Sequence, residues 1–259
     1  MMITSPEAEL PFYFGDDAAL FGLFHAAGGL ARRAVLLCPP LGQDHIRCHR
    51  LYRQLANALA GEGIPALRFD YYGTGDSAGE SADVDWNRCI TDIATAAQEL
   101  RRRSGADRVI AFGARLGGSM ATAAAQTARF AGLVTWDPVF DGGAYVSRLD
   151  AMQSALRQDR QRFMHPRSAA DVAEQWLGFA TSERLRRQIS ELQLDPSTVP
   201  TLVLDSLGGL PGGSWQDAEN TTVKMLEPPA PWDDLNRLEV AILSHPIIQT
   251  VTSHVRAAA

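Results

Sequence analysis

The sequence predicts an α/β protein with a mostly parallel, doubly wound sheet of about eight strands flanked by helices. Short apolar runs alternate with longer segments of helical spacing, without interruption, up to Val139. Several runs are apolar almost throughout, as in "RAVLLC" at Arg33 to Cys38, which is typical of strands buried on both faces. The 259 residues are enough for one such core with a smaller subdomain.

The elements up to Val139 have recognisable local signals. Pro39-Pro40 ends "RAVLLC", because proline cannot donate to a strand ladder. The arginines at 101–103 close a helix at the end where positive charge suits its dipole. The predicted order is strands "LPFYFG" and "ALFGLFHA", strand "RAVLLC", helix "RLYRQLANALAGEG", strand "PALRFD", helix "WNRCITDIATAAQELRRRSG", strand "VIAF", an Ala-rich helix and strand "AGLVTWDPV".

After Val139 the alternation stops. Residues 143–195 lack a strand-like run and are predicted to form helices rich in Arg, Gln and Ala. Strands return in "VPTLVLD" and "TTVKMLE", and "LNRLEVAILSHPIIQTVTSHVR" is predicted to be a closing helical segment. We therefore divide the chain into a core, residues 1–140 and 196–259, and a helical lid inserted at 141–195.

Composition narrows the classes of function. A formal net charge of −6 argues against nucleic-acid binding, which favours basic surfaces. No apolar run approaches the length of about 18 residues that a membrane span needs, and no signal peptide is visible. The three cysteines have neither disulfide nor zinc spacing, so we expect a reduced, cytoplasmic protein.

The segment "DRVIAFGARLGGSMATAAAQ" has the layout of a nucleophile elbow, G-x-S-x-G, except that Arg115 stands at the nucleophile position. In such an elbow, glycines let a strand and a helix approach closely while one side chain projects at the helix N-terminus. A guanidinium keeps its charge at neutral pH, so Arg115 is neither nucleophile nor base. It can bind an anion, pair with a carboxylate or polarise a carbonyl.

These motifs resemble the α/β-hydrolase superfamily, of the serine-aminopeptidase type. The matching segments are "LLCPPLG" after the third strand, "FDYYGTGDSAGE" and the elbow "GARLGG". More narrowly, the sequence resembles the second of the two hydrolase families associated with the exosortase A system, which carries Arg in the elbow; "WDPV" and "PPAPWDD" also match it. The resemblance implies a bacterial protein with a role in exopolysaccharide or specialised metabolism.

The positions where this superfamily carries its triad look vacant. Asp205 and Asp217 are weak candidates for the acid, and no histidine follows the last strand in "LEPPAPWDDL". His245 and His254 fall in the closing helix instead. Ser119, one helical turn beyond the elbow, is the only substitute nucleophile that we consider.

Backbone N–H groups of Leu116 and Leu41 are the expected oxyanion donors, by position in the resembled fold. Pro39 and Pro40 offer no N–H, so this loop has fewer donors than usual. We therefore place Leu41, Leu116 and Ser119 among the substrate-binding candidates.

The loop after the third strand is unusually polar, in "LGQDHIRCHRLY". In one interpretation His45 is a general acid or base oriented by Asp44 or Asp137, with Asp44 and His49 contacting substrate. In the other, these are surface residues and Asp44 is a helix N-cap. His45 and His49 are four residues apart, but no third ligand is spaced for a metal, and we predict neither metal nor cofactor.

Asp137 follows a core strand at its carboxyl end, where ligands bind in open α/β sheets. It can pair with Arg115, either as a structural substitute for the triad or as part of a substrate site. We predict Arg115, His45 and Asp137 as the catalytic residues.

Three functional hypotheses remain open, of which the least favoured is a serine hydrolase that uses Ser119 as its nucleophile. The first is an enzyme without a Ser-His-Asp triad that acts on an acyl, ester, thioester or amide-type small molecule by hydrolysis, acyl transfer, or lyase or cyclase chemistry. A lid supports this hypothesis, since it encloses a ligand. The second is a non-catalytic binding or scaffold protein, with a homodimer or a biosynthetic partner protein as its assembly.

Overall fold

The computed structural model describes residues 9–29, 31–160, 162, 165, 168, 174–215 and 217–258. Its strands are β1 (Glu9–Phe14), β2 (Leu20–His25), β3 (Arg33–Cys38), β4 (Ala66–Phe69), β5 (Arg108–Ala114), β6 (Gly132–Trp136), β7 (Gln175–Trp176), β8 (Phe179–Ala180), β9 (Thr201–Asp205) and β10 (Thr221–Met225). The helices are α1 (Gly42–Gly61), α2 (Trp86–Ser104), α3 (Leu116–Ala123), α4 (Gly142–Arg157), α5 (Glu183–Ser190) and α6 (His245–Ala257).

Eight of these strands form one sheet in the order β1-β2-β4-β3-β5-β6-β9-β10. β2 pairs antiparallel with both β1 and β4, and every other pairing in this sheet is parallel. The predicted fold class, an α/β-hydrolase fold with a mostly parallel eight-stranded sheet, is confirmed. The carboxyl ends of β3, β5, β6 and β9 consequently meet at one edge, where open α/β sheets bind ligands.

Two hydrophobic layers cover the sheet. α2 and α3 pack on one face and α1 and α6 on the other. The central strands have no exposed side chain from residue 34 to residue 38 and from residue 132 to residue 136, which explains why their sequences are apolar rather than alternating.

Tyr52 of α1 ties this framework to the elbow. Its buried hydroxyl donates to the carbonyl of Cys38 at 2.9 Å and accepts from the N–H of Ala114 at 2.9 Å. One side chain thus joins the carboxyl ends of β3 and β5 and fixes the strand from which the elbow projects.

α1 begins earlier than its apolar spacing predicts. It starts at Gly42, after Leu41 in an extended conformation, and therefore contains Asp44, His45 and His49. Leu41 is the N-cap residue, so the interpretation of Asp44 as N-cap is wrong. Asp44 is the third residue of the helix, and the positive end of the helix dipole favours a carboxylate there.

The closing helix is shorter than predicted, because tertiary hydrogen bonds hold residues 231–242 in an irregular path. The buried guanidinium of Arg47 donates to the carbonyls of Trp232 at 2.8 Å and Pro231 at 2.6 Å. The carbonyl of Arg47 in turn accepts from the N–H of Ile242 at 2.8 Å. α6 then starts at His245, where the hydroxyl of Ser244 caps it.

Residues 141–195 contain α4 and α5, as the predicted helical character suggests, and also the antiparallel pair β7–β8, which the sequence analysis missed. The parts of this prediction at residues 161, 163–164, 166–167 and 169–173 lie outside the described residues. None of the helices that the structure describes combines the length and apolar character needed to span a bilayer.

Gly117 lies where α3 packs against the loop after β3. A Cβ at this position would fall 2.4 Å from the carbonyl oxygen of Cys38 and 2.6 Å from that of Pro39. Both obstacles are backbone atoms, so the loop or the elbow must move to admit a methyl group.

We predict that Gly117→Ala destabilises the protein by about 2 kcal/mol or more, the range for forced overpacking. Gly61→Ala is the matched control, because no atom lies within 4 Å of its Cβ and the position is helical. It should be neutral or stabilising by up to about 1 kcal/mol. Urea unfolding measures both, and equal stabilities of the two variants would contradict the close approach.

Candidate functional site

Arg115 occupies the turn between β5 and α3. Its backbone has φ 50° and ψ −130°, a conformation that costs energy for a residue with a Cβ. Its N–H donates to the carbonyl of Trp136 at 3.0 Å, and its carbonyl accepts from Ser119 N at 3.1 Å. These bonds hold the strained turn that presents the Arg115 side chain at the carboxyl edge of the sheet.

The Arg115 side chain is almost entirely buried, with 5% of its surface exposed. Nη1 donates to the carbonyl oxygen of Asp137 at 3.2 Å. Nε lies 3.5 Å from Asp44 Oδ2, close enough for an ion pair, yet it makes no hydrogen bond within the described part of the chain. The rings of Tyr145 and Trp232 flank the guanidinium, each with its centroid 5.3 Å from Cζ. The charge is thus held by two aromatic faces and one carboxylate.

Asp44 supplies that carboxylate from the first turn of α1. Tyr145 Oη donates to its Oδ2 over a long 3.4 Å. Burial raises the pKa of the Asp44 carboxyl, and the positive charges of Arg115 and Arg47 oppose this only in part. Asp44 is therefore the acidic residue that contacts Arg115.

Asp137 does not form the expected ionic pair with Arg115, because neutral donors already occupy its carboxylate. Oδ1 accepts from Ser206 N at 2.7 Å, and Oδ2 accepts from Ser206 Oγ at 2.6 Å and from Trp232 Nε1 at 2.7 Å. Only its backbone carbonyl reaches Arg115. Asp137 is 3% exposed and lies behind the cavity lining, in which it takes no part.

Trp232 is the residue that the sequence analysis missed. It follows β10, in the segment where the resembled fold carries its histidine, and its indole N–H donates to a buried carboxylate. A catalytic histidine donates to its acid in the same way, but an indole has no second nitrogen to accept a proton. The available signal was the tryptophan in "PPAPWDD", which the sequence analysis treated only as a family motif.

A cavity of about 230 Å³ lies over the elbow. Residues 141–195 contribute much of its wall, which is largely apolar. Its polar and charged side chains include Asp44, His45 and Arg115. Apolar side chains from the 141–195 segment that line it are Leu149, Met152, Trp176, Leu177, Phe179, Ala180, Leu185 and Ile189.

His45 lines this cavity and also a neighbouring cavity of about 90 Å³. Burial lowers its pKa, and the charges of His49 and Arg68 add to this while that of Asp70 opposes it. Within the described residues neither Asp44 nor Asp137 hydrogen bonds to the imidazole, so the expected orienting carboxylate is not among its contacts.

His49 is exposed and lines the smaller cavity rather than the one over the elbow. The expected contact between His49 and a substrate beside Arg115 is therefore not supported. No cluster of three or more histidine, cysteine, aspartate or glutamate side chains suited to a metal ion is found among the described residues.

Leu41 and Leu116 both line the cavity over the elbow. Neither backbone N–H has a hydrogen-bond partner within the described part of the chain, so both donors remain free for a ligand oxygen. Gly117 packs against Pro39, which brings the two loops that carry these residues together.

Ser119 does not line the cavity. Its buried hydroxyl accepts from Val139 N at 2.9 Å and donates to Val139 O at 2.8 Å. The expected substrate contact of Ser119 is corrected accordingly, since the side chain bonds α3 to the chain after β6.

The remaining triad candidates lie away from the cavity lining. Asp205 accepts from the N–H groups of Leu207 and Gly208 and so stabilises the turn after β9. Asp217 is exposed. His245 begins α6 and contacts Gln249, and His254 lies in the last turn of that helix.

Solved structures with similar folds include enzymes of different kinds. Est1E from Butyrivibrio proteoclasticus, with ferulic acid bound, matches with a TM-score of 0.63 at 16% identity over 95% of this chain and 96% of its own. A thermostable carboxyl esterase from Bacillus coagulans matches with a TM-score of 0.63 at 14% identity, over 98% of this chain and 99% of its own. The bottromycin epimerase BotH, in complex with bottromycin A2, matches with a TM-score of 0.57 at 15% identity, over 91% of this chain and 94% of its own.

No curated protein sequence is significantly similar to this chain. A family model, by contrast, matches residues 31–205, which is more than half of the sequence and includes β3, the elbow and β9. This model is that of the hydrolase family described as serine aminopeptidase, S33. The chain therefore belongs to the serine aminopeptidase (S33) family of α/β-hydrolases.

Proposed function

We propose that the chain is an enzyme that acts on an acyl, ester, thioester or amide-type small molecule without a serine nucleophile, in a bacterial biosynthetic pathway. Arg115 holds a carboxylate of the substrate or polarises its carbonyl. The observation that carries this proposal is a buried guanidinium in the wall of an otherwise largely apolar cavity, with a single hydrogen bond to the described part of the chain.

Three features support chemistry other than that of a Ser-His-Asp triad. The elbow presents Arg115, and the indole of Trp232 fills the position beside it while bonding Asp137. Ser119 is committed to the backbone of Val139. A substrate over the elbow thus meets a fixed positive charge instead of a nucleophile.

The cavity retains groups that suit acyl chemistry. The free N–H groups of Leu41 and Leu116 can donate to a developing oxyanion, and His45 can accept or deliver a proton. Hydrolysis by activated water, acyl transfer, and lyase or cyclase chemistry all fit these parts. The fold is compatible with reactions other than hydrolysis, as the similar epimerase structure illustrates.

The second candidate is a non-catalytic protein that binds a metabolite or a partner protein. The hydrogen bonds that join Asp137 to Trp232 and Ser206 favour this candidate. They occupy the carboxylate that would otherwise be available to act as the acid of a triad. Both candidates retain the cavity, so ligand binding does not distinguish them. Turnover of an ester, thioester or amide substrate does, because only the enzyme would catalyse it. For either candidate we propose a cytoplasmic location and, as the assembly, a homodimer or a complex with a biosynthetic partner protein.

We predict that Arg115→Met lowers the affinity for octanoate by about ten- to a hundredfold, because a charged hydrogen bond contributes roughly 1.5–3 kcal/mol. Isothermal titration calorimetry measures the change. Arg148→Met is the matched control, since Arg148 pairs with Asp233 on the surface and is 42% exposed. Equal affinities of Arg115→Met and wild type would overturn the anchor.

We predict that His45→Gln lowers kcat for mono-4-nitrophenyl glutarate by about 10²–10⁴, the range for a general acid or base, with KM changed little. His49→Gln, outside the cavity, should keep the wild-type rate. Because the imidazole must be neutral to accept a proton, the wild-type rate should fall in acid. Burial lowers the pKa of His45 from 6.5, so this loss should occur below pH 6.5.

An unchanged kcat in His45→Gln would remove His45 from the chemistry. If wild type binds octanoate but turns over neither this ester nor its thioester and amide counterparts, the result supports the non-catalytic candidate.

We predict that Ser119→Ala is not catalytically impaired but loses about 1–3 kcal/mol of stability, because the buried N–H and C=O of Val139 lose their partner. A fluorophosphonate probe should leave wild type unlabelled. Labelling at Ser119, detected by peptide mass spectrometry, would instead establish a serine hydrolase.

A further inference from the structure

We infer that the cavity binds a monoanionic carboxylate with an apolar tail together with one proton, by exchanging the Asp44–Arg115 contact for a contact between the ligand and Arg115. The inference rests on Arg115 as the anchor in the proposed function. It adds the chemical class of the ligand and the coupling of its binding to Asp44.

The protein's own groups satisfy the hydrogen-bond donors of Arg115 poorly. It has five N–H donors, and one hydrogen bond, from Nη1 to Asp137 O at 3.2 Å, is found within the described residues. Nε is a buried donor for which the described ranges supply no hydrogen-bond acceptor. The side chain is only 5% exposed, so its charge lies largely among protein groups and faces the cavity that it lines. A carboxylate that accepts two parallel N–H bonds from the guanidinium would complete it.

Asp44 is a weak substitute for such a ligand. Its Oδ2 is 3.5 Å from Arg115 Nε, without a hydrogen bond, and 3.4 Å from Tyr145 Oη. Both distances are long for bonds to a carboxylate, which are usually shorter than 3 Å. A buried carboxylate held only by such contacts has lost hydration that it does not regain.

The groups around Asp44 determine how its charge responds to a second anion. They come from four parts of the chain, which are its own helix, the elbow, α4 and the segment after β10. The groups are, in that order, Arg47, Cys48 and Tyr52, then Arg115, Tyr145 and Asp233. Arg47 is engaged by the carbonyls of Pro231 and Trp232, so it stays in place.

A bound anion therefore favours protonation of Asp44. The positive charge of Arg115 is the first of those that oppose the raised pKa of Asp44, ahead of that of Arg47. A ligand carboxylate on Arg115 neutralises this charge and places a second negative charge beside Asp44, so the pKa of Asp44 rises further and its carboxylate takes a proton from solvent. No bond other than the O–H bond on Asp44 is formed, and nothing is oxidised or reduced.

The wall of the cavity specifies the rest of the ligand. Leu149, Met152, Trp176, Leu177 and Phe179 line the side that residues 141–195 provide, and an aliphatic or aromatic tail can bury its surface against them. Among the described residues of the lining, Arg115 is the only arginine or lysine. The cavity therefore suits a ligand with a single carboxylate better than a highly charged metabolite.

The test uses 1-octanesulfonate, whose charge does not change with pH, in titration calorimetry of the wild-type protein between pH 5 and pH 9. We expect Kd to rise by up to about tenfold per pH unit on the alkaline side of the Asp44 pKa, the slope for one linked proton. Burial raises this pKa above the ordinary range for aspartate. Titration in two buffers with different ionisation enthalpies should give about one proton taken up per ligand in that range.

Asp44→Asn separates this coupling from the titration of His45. The variant should bind 1-octanesulfonate with a nearly constant Kd across the range, and more tightly than wild type at pH 8. Glu62→Gln is the matched control, because Glu62 pairs with Arg256 at the surface and lies outside the cavity lining, and it should keep the wild-type dependence.

Three results would overturn the inference: a wild-type Kd independent of pH, no proton uptake, or the same pH dependence in Asp44→Asn as in wild type. The wild-type titrations decide even if a variant does not fold. Failure of the proposed function gives a different result. If Arg115 is not the anchor, Arg115→Met binds octanoate as tightly as wild type does, whereas failure of the proton coupling alone leaves the weaker binding of Arg115→Met in place.

Discussion

A permanent positive charge buried at the end of a central strand is the constraint on which the rest of the site depends. Arg115 sits in a strained turn, and its guanidinium is removed from water. Such burial is costly unless the surroundings supply charge and hydrogen bonds. Two aromatic faces, one backbone carbonyl and one distant carboxylate supply only part of this. We regard the remaining deficit as the driving force for ligand binding.

Hydrogen bonds and close backbone packing fix the position of the elbow that carries this charge. Tyr52 bonds the ends of β3 and β5 together, and Gly117 lets the elbow approach the loop after β3. Arg47 holds the chain that carries Trp232 against α1. The same arrangement that would orient a triad therefore orients Arg115 between Tyr145 and Trp232. The elbow thus keeps its strand-turn-helix geometry with Arg115 at the position that projects from the turn.

The sequence predicted the sheet and the place of the elbow because apolar runs and glycines report local requirements directly. It did not predict that Asp44 rather than Asp137 faces Arg115. That outcome depends on where α1 begins and on Ser206 and Trp232, which reach Asp137 over long separations in the chain. The length of α6 was also wrong, since tertiary bonds from Arg47 override helical spacing in residues 231–242. Spacing patterns carry no information on such distant partners.

The central claim is that Arg115 is the anion anchor of the cavity. A crystal structure of the protein with octanoate tests it most directly. The account predicts the carboxylate on the Arg115 guanidinium through two N–H bonds, with the alkyl chain along Leu149 and Phe179 and Asp44 moved out of contact. A carboxylate bound elsewhere, such as beside Arg148 at the surface, with the Arg115–Asp44 contact unchanged, would contradict it.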